Sequence, residues 1–426
     1  MLIAMHLNRG AEPLLHQFLD TTKVVVLEGG RGVGKTTLAR RVAAARGFRT
    51  TFDLSDPADR SALEQDPHRV LAASATPLLI DEAQLAPELT VAVKRMVDDH
   101  GSPGQVLLTG SARIGRGALG GGDPLAGRAV RMRLNPFTQG ELMGTPHNVL
   151  ELWWAKDFDS GVYPELTLDE IYKRLMIGGI PAMAIGLVGD SIADEDHRRR
   201  LLSAYVDGVL TMNIAGTRTD QSRLMQTFRY LASNPGQILN LRRASSDLSM
   251  RAETVQGYLD ICESGFLLDV APAHRPTQHQ SVTAHPRVFT SDVGLAAWAA
   301  ETSRERLVRD TKLSGALLEN FVANEVASQA NWMSSAPSLL HWRDSRAGKE
   351  VDLVLRRTNG EMLAVEVKSS STVSMSDARG LRAFAEKAGD RLVCGVIVYT
   401  GRVTQQLDSQ TFAVPLASLF SSSSNS

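Results

Sequence analysis

The first third of the chain contains three short, uninterrupted apolar runs, each followed closely by glycine, a carboxylate or a hydroxyl side chain. The runs are Val24–Leu27, Leu78–Ile80 and Val106–Leu108. Runs of this length and composition are typical of strands that are buried on both faces, as in a parallel sheet. A helical pattern from Thr37 to Ala43 follows the first run. We therefore expect an α/β fold in which polar residues collect at the carboxyl ends of the strands.

The middle of the chain changes to helical periodicity that is interrupted by turns. Apolar spacing predicts helices over residues 224–233, from residue 240 and over residues 251–262, with a turn at Asn234-Pro235-Gly236 after the first. Residues 265–270 and 287–290 read as the strands of a small hairpin. This order is typical of a winged helix, a variant of the helix-turn-helix, and we expect one over residues 216–300.

Residues 146–215 are expected to be helical as well. Their large apolar side chains are Trp153, Trp154, Tyr172, Leu175 and Met176. We predict that these helices pack on the preceding α/β domain, because a pair of tryptophans far more often packs in a core than stacks on bases.

The last third of the chain begins with a long helix that carries Glu319, marked by apolar residues at helical spacing between residues 313 and 326. Trp342 is expected to start a polar loop. Residues 350–355 and 361–368 then alternate as two strands around the turn Thr358-Asn359-Gly360, and a helix near residues 376–388 and a strand over residues 393–399 follow.

The length of the turn decides which side chains of this hairpin share a face. A three-residue loop, Thr358-Asn359-Gly360, places Asp352 directly across from Glu366. A two-residue Asn-Gly turn would place the two carboxylates on opposite faces. We expect the three-residue loop, with Asp352, Glu366 and Lys368 on one face.

Composition limits the function classes. A chain of 426 residues is too long for one ordinary core, so two to four domains are expected. The net charge of −1 gives no overall attraction to nucleic acid, so any attraction has to be local. The serine-rich tail, residues 421–426, is expected to be disordered.

The cysteine content and the lengths of the apolar runs also bear on the cellular compartment of the protein. Cys262 and Cys394 offer neither the spacing of a metal site nor a disulfide framework, which fits a reducing cytoplasm. No run approaches the ~18 apolar residues of a membrane span, and the N-terminal apolar segment is too short for a signal peptide. We expect a cytoplasmic protein that does not contact a membrane.

The residues between the first strand and the first helix fit a phosphate-binding loop, G-x4-G-K-[ST], in its required strand–loop–helix context. The residues expected to contact the nucleotide are Gly29, Gly30, Arg31, Gly32, Val33, Gly34, Lys35, Thr36 and Thr37. Backbone N–H groups of such a loop point at phosphate oxygens, and the helix N-terminus adds positive potential. Lys35 would reach the β- and γ-phosphates of ATP, and the Thr36 hydroxyl would bind Mg²⁺.

Further candidates follow the second and third strands. Asp81 would lie beside the Mg²⁺ position, and Glu82 would polarise the attacking water. Ser111 is placed near the γ-phosphate, with an ordinary strand-to-loop turn as the alternative. Arg128 is the first candidate and Arg131 the second for stabilising phosphoryl charge from a neighbouring subunit, with a plain surface role as the alternative for each.

These motifs together resemble the AAA+ class of P-loop ATPases. They are closest to a prokaryotic family with an ATPase core of the AAA_14 type and a C-terminal PD-(D/E)XK nuclease-like domain. The matching stretches are Gly30–Thr37, Leu78–Gln84, Leu108–Arg113, Gly127-Arg128, Leu134–Phe137 with Glu141, and Gly178–Pro181. The resemblance implies an α/β multidomain chain: an AAA+ core (1–145), a helical lid or connector (146–215), the winged helix (216–300) and a restriction-endonuclease-like domain (301–420). It also implies a homo-oligomer, with a hexamer as one option.

Local charge indicates a nucleic-acid partner for the winged helix. Nine arginines lie between residues 198 and 251 against three acidic residues, an excess suited to DNA phosphates. Arg242, Arg243 and Arg251 are the candidate DNA contacts, with Thr254, Gln256 and Tyr258 available on the third helix. The alternative is a winged helix that packs against protein.

Asp352 and Glu366-Val367-Lys368, with the helical Glu319 upstream, resemble the PD-(D/E)XK nuclease superfamily. The resemblance implies that Glu319, Asp352 and Glu366 bind Mg²⁺ and that Lys368 helps position water or stabilises the transition state. Val351 stands where the name of the superfamily has proline. Whether such a domain cuts DNA or only grips DNA or another partner stays open at this point.

The sequence thus favours an ATP-hydrolysing AAA+ protein that acts on DNA as a motor or remodeller. Its C-terminal domain would bind DNA and is a candidate Mg²⁺-dependent endonuclease. The alternative is a nucleotide-gated switch or signalling scaffold whose C-terminal domain binds another protein.

Overall fold

The computed structural model describes residues 7–99, 101–111, 114, 122–185, 195–214, 217–274 and 285–423. Its contacts divide the chain into two compact units. The first consists of residues 1–136 with 264–266, and the second of residues 137–263 with 267–426.

The first unit is a parallel sheet with helices. Its helices are α1 (Glu12–Thr21), α2 (Lys35–Ala45), α3 (Pro57–Gln65), α4 (Pro67–Ala73) and α5 (Leu89–Asp99). Its strands are β1 (Val24–Glu28), β2 (Thr50–Asp53), β3 (Leu78–Asp81), β4 (Val106–Gly110) and β5 (Ala129–Arg133). All neighbours are parallel in the order β2-β3-β4-β1-β5. The three apolar runs form the fully buried β1, β3 and β4, as predicted.

The second unit contains the remaining elements. Its helices are α6 (Gln139–Leu142), α7 (Val149–Ala155), α8 (Leu168–Ile177), α9 (Pro181–Ala184), α10 (Glu195–Asn213), α11 (Gln221–Ala232), α12 (Leu241–Leu248), α13 (Ala252–Ser264), α14 (Val293–Ala299), α15 (Arg304–Arg309), α16 (Thr311–Ala330) and α17 (Arg379–Ala388). Its strands are β6 (Gln237–Ile238), β7 (Leu268–Ala271), β8 (Arg287–Thr290), β9 (Ser338–Asp344), β10 (Lys349–Arg356), β11 (Met362–Lys368), β12 (Leu392–Tyr399), β13 (Gln405–Gln406) and β14 (Thr411–Pro415). They form an antiparallel sheet, β6-β8-β7, and a mixed sheet, β13-β14-β12-β11-β10-β9.

Two helices of residues 146–215, α7 and α8, pack within the second unit, and the lid role of this region stays a prediction. Trp153 and Trp154 of α7 and Tyr172 of α8 belong to one apolar cluster with α16 and with the inner face of β10, β11 and β12. The Cys394 thiol of β12 donates to the Trp153 carbonyl at 3.5 Å. These helices are therefore part of the hydrophobic core of the mixed sheet, because their apolar faces complete it.

One part of the second unit consists of the sheet β6-β8-β7 and the helices α11, α12 and α13, and we call it the three-stranded part. It follows the predicted order of elements. α11, α12, α13, β7 and β8 occur where they were expected, and the short β6 is an addition. Tyr258 is buried, so its ring packs in the core of this part and is not available to a groove. Arg251, by contrast, is exposed.

The β10–β11 hairpin confirms the predicted register. Leu353 pairs with Val365 and Arg356 with Met362, which extends to Asp352 opposite Glu366. The Gly360 N–H donates to the Arg357 carbonyl at 3.0 Å, and Gly360 has a φ of +89°, as a three-residue loop with a glycine bulge requires. The expected polar loop at Trp342 is wrong, because Trp342 lies buried in β9, which pairs with β10.

The start of α6 is joined to α16 through buried polar groups. Thr138 and Glu141 form a capping box, with the Thr138 N–H donating to Glu141 at 2.9 Å and the Glu141 N–H to Thr138 at 3.1 Å. The Gln139 N–H donates to Glu325 of α16 at 2.9 Å. Glu141, part of the Leu-Asn-Pro-Phe motif, therefore has a structural role.

The Gly178-Gly179-Ile180 segment encloses the carboxylate of Asp292, which precedes α14. Asp292 accepts the N–H groups of Gly179 at 2.6 Å, Ile180 at 3.1 Å and Gly294 at 2.9 Å. A Cβ on Gly178 would collide with this carboxylate, and one on Gly179 would collide with the Phe137 carbonyl. Glycine is therefore required at both positions, because these oxygen atoms lie too close to the backbone for a Cβ atom to fit.

Three smaller expectations can be compared with the structure. Cys262 and Cys394 are free and buried. Among the residues that the structure describes, no helix is both long and apolar enough to cross a bilayer. The first residues of the expected disordered tail make contacts, since Ser423 hydrogen-bonds Asp159 and the Ser421 N–H donates to Ala417 at 2.8 Å. Residues 424–426 lie outside the described residues.

Glu325 predicts a measurable pH dependence of stability. Burial, assisted by the nearby Glu141 carboxylate, raises the pKa of Glu325 to about 8, although the Gln139 N–H acts in the opposite direction. The folded chain therefore holds a proton that the unfolded chain has released, so this contribution to stability is present below about pH 4.5 and is lost as pH rises to about 8. Glu325→Gln, which is neutral at every pH, should gain in Tm relative to the wild type between pH 5.5 and 8.5.

Thermal unfolding of both proteins across this range tests the prediction. Glu386→Gln, on the exposed face of α17, is the control and should follow the wild type. A difference in Tm between Glu325→Gln and the wild type that is constant with pH would contradict it.

Candidate nucleotide-binding site and carboxylate cluster

The loop between β1 and α2 has the backbone conformation that its glycines permit. Gly32 and Gly34 have φ values of +70° and +96°, a region that favours glycine. A Cβ on Gly29 would collide with the carbonyl oxygen of Leu134. The loop thus leads directly into α2, whose first residue is Lys35. Arg31 and Thr37 are exposed and Val33 is buried.

Lys35 lies buried inside this loop. Its ammonium group donates to the carbonyl oxygens of Gly29 at 3.0 Å and Gly30 at 2.8 Å. Burial lowers the pKa of Lys35 to about 8, although the carboxylates of Glu82 and Asp81 act in the opposite direction. A buried ammonium with this balance favours additional negative charge, which phosphate groups would supply.

Thr36 and Asp81 meet at the carboxyl end of β3. The Thr36 hydroxyl donates to Asp81 Oδ1 at 3.1 Å, and Thr109 of β4 also donates to Asp81 Oδ1. The guanidinium of Arg40 lies 3.9 Å from the other Asp81 oxygen. Hard oxygen donors on adjacent strand and helix ends fit Mg²⁺ chemistry, so these residues are suited to the cation that accompanies ATP.

Glu82 follows directly in a left-handed conformation, with a φ of +56°. Its carboxylate accepts the Ser111 hydroxyl at 3.1 Å and the Gln84 side-chain amide. Gln84 also donates to the Ser111 hydroxyl at 3.0 Å. Glu82 is therefore held by two polar side chains beside the phosphate loop, and Ser111 contacts Glu82 in this structure.

The buried side chain of Arg9 supports the phosphate loop through hydrogen bonds. No sequence motif indicates this role. The Arg9 guanidinium donates to the carbonyls of Val33 at 2.7 Å and Asn135 at 2.6 Å, and the side chain is buried. Arg9 lies outside every motif that was recognised, so only its contacts identify it. Thr109 was expected near the γ-phosphate, together with Ser111, and its hydroxyl donates to Asp81 here; Gln84 lay within a quoted motif but had no assigned role.

The two candidate arginines from β5 and its preceding loop both have partners in the same chain. Arg128 makes a two-pronged ion pair with Asp98 of α5, at 2.6 and 3.0 Å. Arg131 donates to Glu28 at 2.6 Å and to Asp123 at 2.6 Å, and is largely buried. Arg131 thus forms structural ion pairs within its own chain. For Arg128, the role at the nucleotide of a neighbouring subunit stays a prediction. Arg113 and residues 115–121 of the glycine-rich loop lie outside the described residues.

The predicted nuclease-like residues come together in the second unit, but around an arginine. Arg287 of β8 donates to Asp352 Oδ1 at 2.9 Å. The same guanidinium lies 3.3 Å from Glu350 and 3.6 Å from Glu319. We call Arg287, Glu319, Glu350, Asp352, Glu366 and Lys368 the carboxylate cluster.

The remaining polar atoms of the cluster are mostly engaged. Asp352 Oδ2 accepts the Val367 N–H at 2.9 Å, and Lys368 donates to Glu366 Oε1 at 2.9 Å. Glu366 Oε2 is buried and has no hydrogen-bond partner among the described residues. Burial, with the Asp352 charge next in importance, raises the pKa of both Glu319 and Glu366.

The predicted Mg²⁺ ligands Glu319, Asp352 and Glu366 lie in one cluster with Arg287 among them, and their metal-binding role stays a prediction. In the described part of the chain, no group of three or more histidine, cysteine or acidic side chains is arranged to hold a metal ion. Arg287 contacts Asp352 and lies beside Glu319, and both Asp352 oxygens already accept hydrogen bonds. Arg287 therefore compensates part of the negative charge of Asp352 and Glu319, and Lys368 pairs with Glu366.

The candidate DNA contacts are on the surface of the three-stranded part. Arg242 and Arg243 near the start of α12 are exposed, and Arg243 lies 3.6 Å from Asp247. Other arginines of the basic stretch are occupied: Arg198 is buried, and Arg229 stacks on Trp298 at 4.7 Å. The available basic surface is therefore smaller than the sequence count.

Three stretches of the chain match protein families. Residues 21–143 match the family described as "AAA domain". Residues 168–306 match "Domain of unknown function (DUF8612)" and residues 314–419 match "Domain of unknown function (DUF4143)". With the phosphate-loop geometry, the first match identifies the N-terminal unit as an AAA-type P-loop ATPase domain.

Two relatives are similar along nearly the whole chain. They are "Uncharacterized protein Rv2008c" of Mycobacterium tuberculosis and "Uncharacterized protein Mb2031c" of Mycobacterium bovis. Each is 27% identical over 413 residues, which covers 96% of this chain and 83% of the relative.

Solved structures with some likeness include the Walker-type ATPase PABY2304 of Pyrococcus abyssi. It is 13% identical with a TM-score of 0.42, covering 70% of this chain and 99% of that one. The RuvB Holliday junction branch migration motor of Thermotoga maritima is 19% identical with a TM-score of 0.30, covering 63% and 92%. AMPPCP-bound DnaA from Aquifex aeolicus is 16% identical with a TM-score of 0.29, covering 59% and 85%. Scores this low carry no functional argument.

The geometry of the site predicts that two different substitutions separate ATP binding from ATP hydrolysis. Lys35→Ala should abolish binding of a fluorescent ATP analogue, because it removes the buried cation of the loop. Glu82→Gln should bind the analogue as the wild type does and lose turnover, because it keeps the shape of the side chain and removes its basicity.

Binding is measured by fluorescence anisotropy and turnover by phosphate release. Glu88→Gln, an exposed acid near Glu82, is the matched control and should keep both activities. Wild-type turnover by Glu82→Gln would refute the role given to Glu82.

Proposed function

We propose that this protein is a cytoplasmic, Mg²⁺-dependent ATPase that acts on DNA as a motor or remodeller. The observation that carries the proposal is the convergence of Lys35, Thr36, Asp81 and Glu82 at one end of the parallel sheet. The second unit supplies the proposed DNA-binding surface.

The chain's own residues have separate tasks in the proposed reaction. Lys35, released from the Gly29 and Gly30 carbonyls, would neutralise the β- and γ-phosphates. Thr36 and Asp81 would hold Mg²⁺, which supplies charge compensation at the phosphates. Glu82 would orient and polarise the attacking water after it leaves Ser111 and Gln84, since these donors now occupy its carboxylate.

The DNA-binding surface would be the α12–α13 region, which we interpret as a winged helix. Its element order and the exposed Arg242, Arg243 and Arg251 support this interpretation. Phosphate contacts through such arginines release counterions and make affinity strongly dependent on salt.

Assembly into a homo-oligomer, with a hexamer as one arrangement, is part of the proposal. The Arg128 side chain is 33% exposed and would leave Asp98 to contact the nucleotide of a neighbouring subunit. An exposed ion pair of this kind contributes little to stability, so exchanging it for a phosphate contact is inexpensive.

The C-terminal mixed sheet, in our proposal, has the PD-(D/E)XK topology and grips DNA or a partner. Cleavage by a metal-dependent mechanism is not part of the proposal, because Arg287 engages Asp352 and lies beside Glu319, two of the three carboxylates that such a mechanism needs.

DNA-stimulated ATP turnover tests the function. The wild type should hydrolyse ATP faster with DNA, and Arg242→Ala/Arg243→Ala/Arg251→Ala should lose most of this stimulation while keeping basal turnover. The slope of log K against log salt for DNA binding should fall by up to about three in the triple variant, roughly one for each lost phosphate contact.

A variant with the same loss of charge elsewhere is the control. Arg60→Ala/Arg69→Ala/Arg95→Ala removes three exposed arginines of the first unit and should keep stimulation and slope. Slow hydrolysis that DNA does not alter would instead favour the nucleotide-gated switch or scaffold.

A further inference from the structure

The carboxylate cluster obtains its central cation from another sheet. Arg287 is the first residue of β8, which pairs with β6 and β7 in the three-stranded sheet. Its side chain is only 5% exposed and extends to carboxylates of α16 and β10. A buried guanidinium requires such partners, because an unpaired charge in the interior is very costly.

The guanidinium meets the carboxylates in the manner of a strong ion pair. The closest contact is the 2.9 Å hydrogen bond to Asp352, with Glu350 at 3.3 Å and Glu319 at 3.6 Å. Arginine presents several donors in a rigid plane, so one side chain can serve three acids at once.

Both Asp352 oxygens accept hydrogen bonds in this arrangement. One oxygen accepts Arg287 and the other accepts the Val367 N–H at 2.9 Å. A divalent cation would have to share these oxygens with the two donors, and it would be repelled by the positive charge of the guanidinium.

Further bonds near the C-terminal end of β8 hold Arg287 in place. The Thr290 N–H donates to Asn320 of α16 at 2.8 Å, and Asn324 donates to the Thr290 carbonyl at 2.8 Å. Beyond β7, the His274 N–H donates to the carbonyl of His341 in β9 at 2.6 Å. The three-stranded sheet is therefore bound to α16 and to the mixed sheet on both sides of the cluster.

We infer that Arg287 is a built-in cation that takes the place of a metal ion, so that the carboxylate cluster is an ion-pair joint between the two sheets. The joint fixes the proposed DNA-binding part to the C-terminal sheet without a divalent cation. This inference is independent of whether the ATPase acts on DNA.

Mn²⁺ binding to the nucleotide-free, full-length protein tests the inference. Free Mn²⁺ is measured by electron paramagnetic resonance for the wild type, Arg287→Met, Asp352→Asn and Arg287→Met/Asp352→Asn. The wild type and Asp352→Asn should take up the same amount of Mn²⁺. Arg287→Met should take up about one additional ion per chain, and the double variant should lose it again.

Thermal unfolding gives a second readout. Arg287→Met should have a lower Tm than the wild type in EDTA, and Mn²⁺ should raise the Tm of this variant only, because a ligand stabilises the state that binds it. Arg357→Met is the matched control: Arg357 lies 3.4 Å from the exposed Glu361 at the end of the same hairpin, and its loss should create no Mn²⁺ response.

Two results would overturn the inference. One is wild-type uptake of Mn²⁺ that Asp352→Asn abolishes, because the cluster would then be a metal site with Arg287 present. The other is a folded Arg287→Met protein that gains no Mn²⁺. If Arg287→Met fails to fold, the comparison of the wild type with Asp352→Asn still decides the first point.

Discussion

The second unit is organised by the need to pair buried polar groups that surround β8. Arg287 at its start meets the acids of the mixed sheet, and Thr290 at its end meets two asparagines of α16. Asp292, two residues later, is enclosed by the N–H groups of Gly179 and Ile180. Each group would be strongly destabilising if it were left unpaired, so these contacts fix β8, α16 and the glycine segment relative to one another.

The first unit is organised by a different requirement, the binding of phosphate by a loop that is itself held rigidly. Arg9 holds the loop by donating to the Val33 carbonyl, and Thr109 and Thr36 hold Asp81 by donating to its carboxylate. Lys35 and Glu82, by contrast, are held by groups that ATP or water would replace. The first set of contacts therefore positions the site. Lys35 and Glu82 can exchange their present partners for ATP or water.

Much of this architecture could be predicted from the sequence because it follows local rules. Apolar runs predicted β1, β3 and β4, and the residues of the turn at Thr358-Asn359-Gly360 fixed the register of β10 and β11. The phosphate loop was recognisable because its glycines are required by backbone conformation.

What could not be predicted depends on contacts between distant residues. Arg287 and Asp352 are 65 positions apart, and nothing in either local sequence indicates that they pair. The apolar faces of α7 and α8 fit any core equally well, so their pattern alone does not indicate that they pack on the mixed sheet. Trp342 was assigned to a loop because polar residues follow it, although β10 provides its strand partner.

A motor or remodeller of the proposed kind requires that ATP hydrolysis changes how tightly the protein holds DNA. The most direct measurement is the affinity for a fluorescently labelled DNA in the nucleotide-free state, with ADP, and with ATP trapped by Glu82→Gln, at one fixed salt concentration. We predict that the dissociation constants with ATP and ADP differ by about tenfold or more, which corresponds to about 1.4 kcal/mol of coupling. The Lys35→Ala protein should bind DNA equally under all three conditions. Equal affinity of the nucleotide-binding protein in all three states would contradict the account.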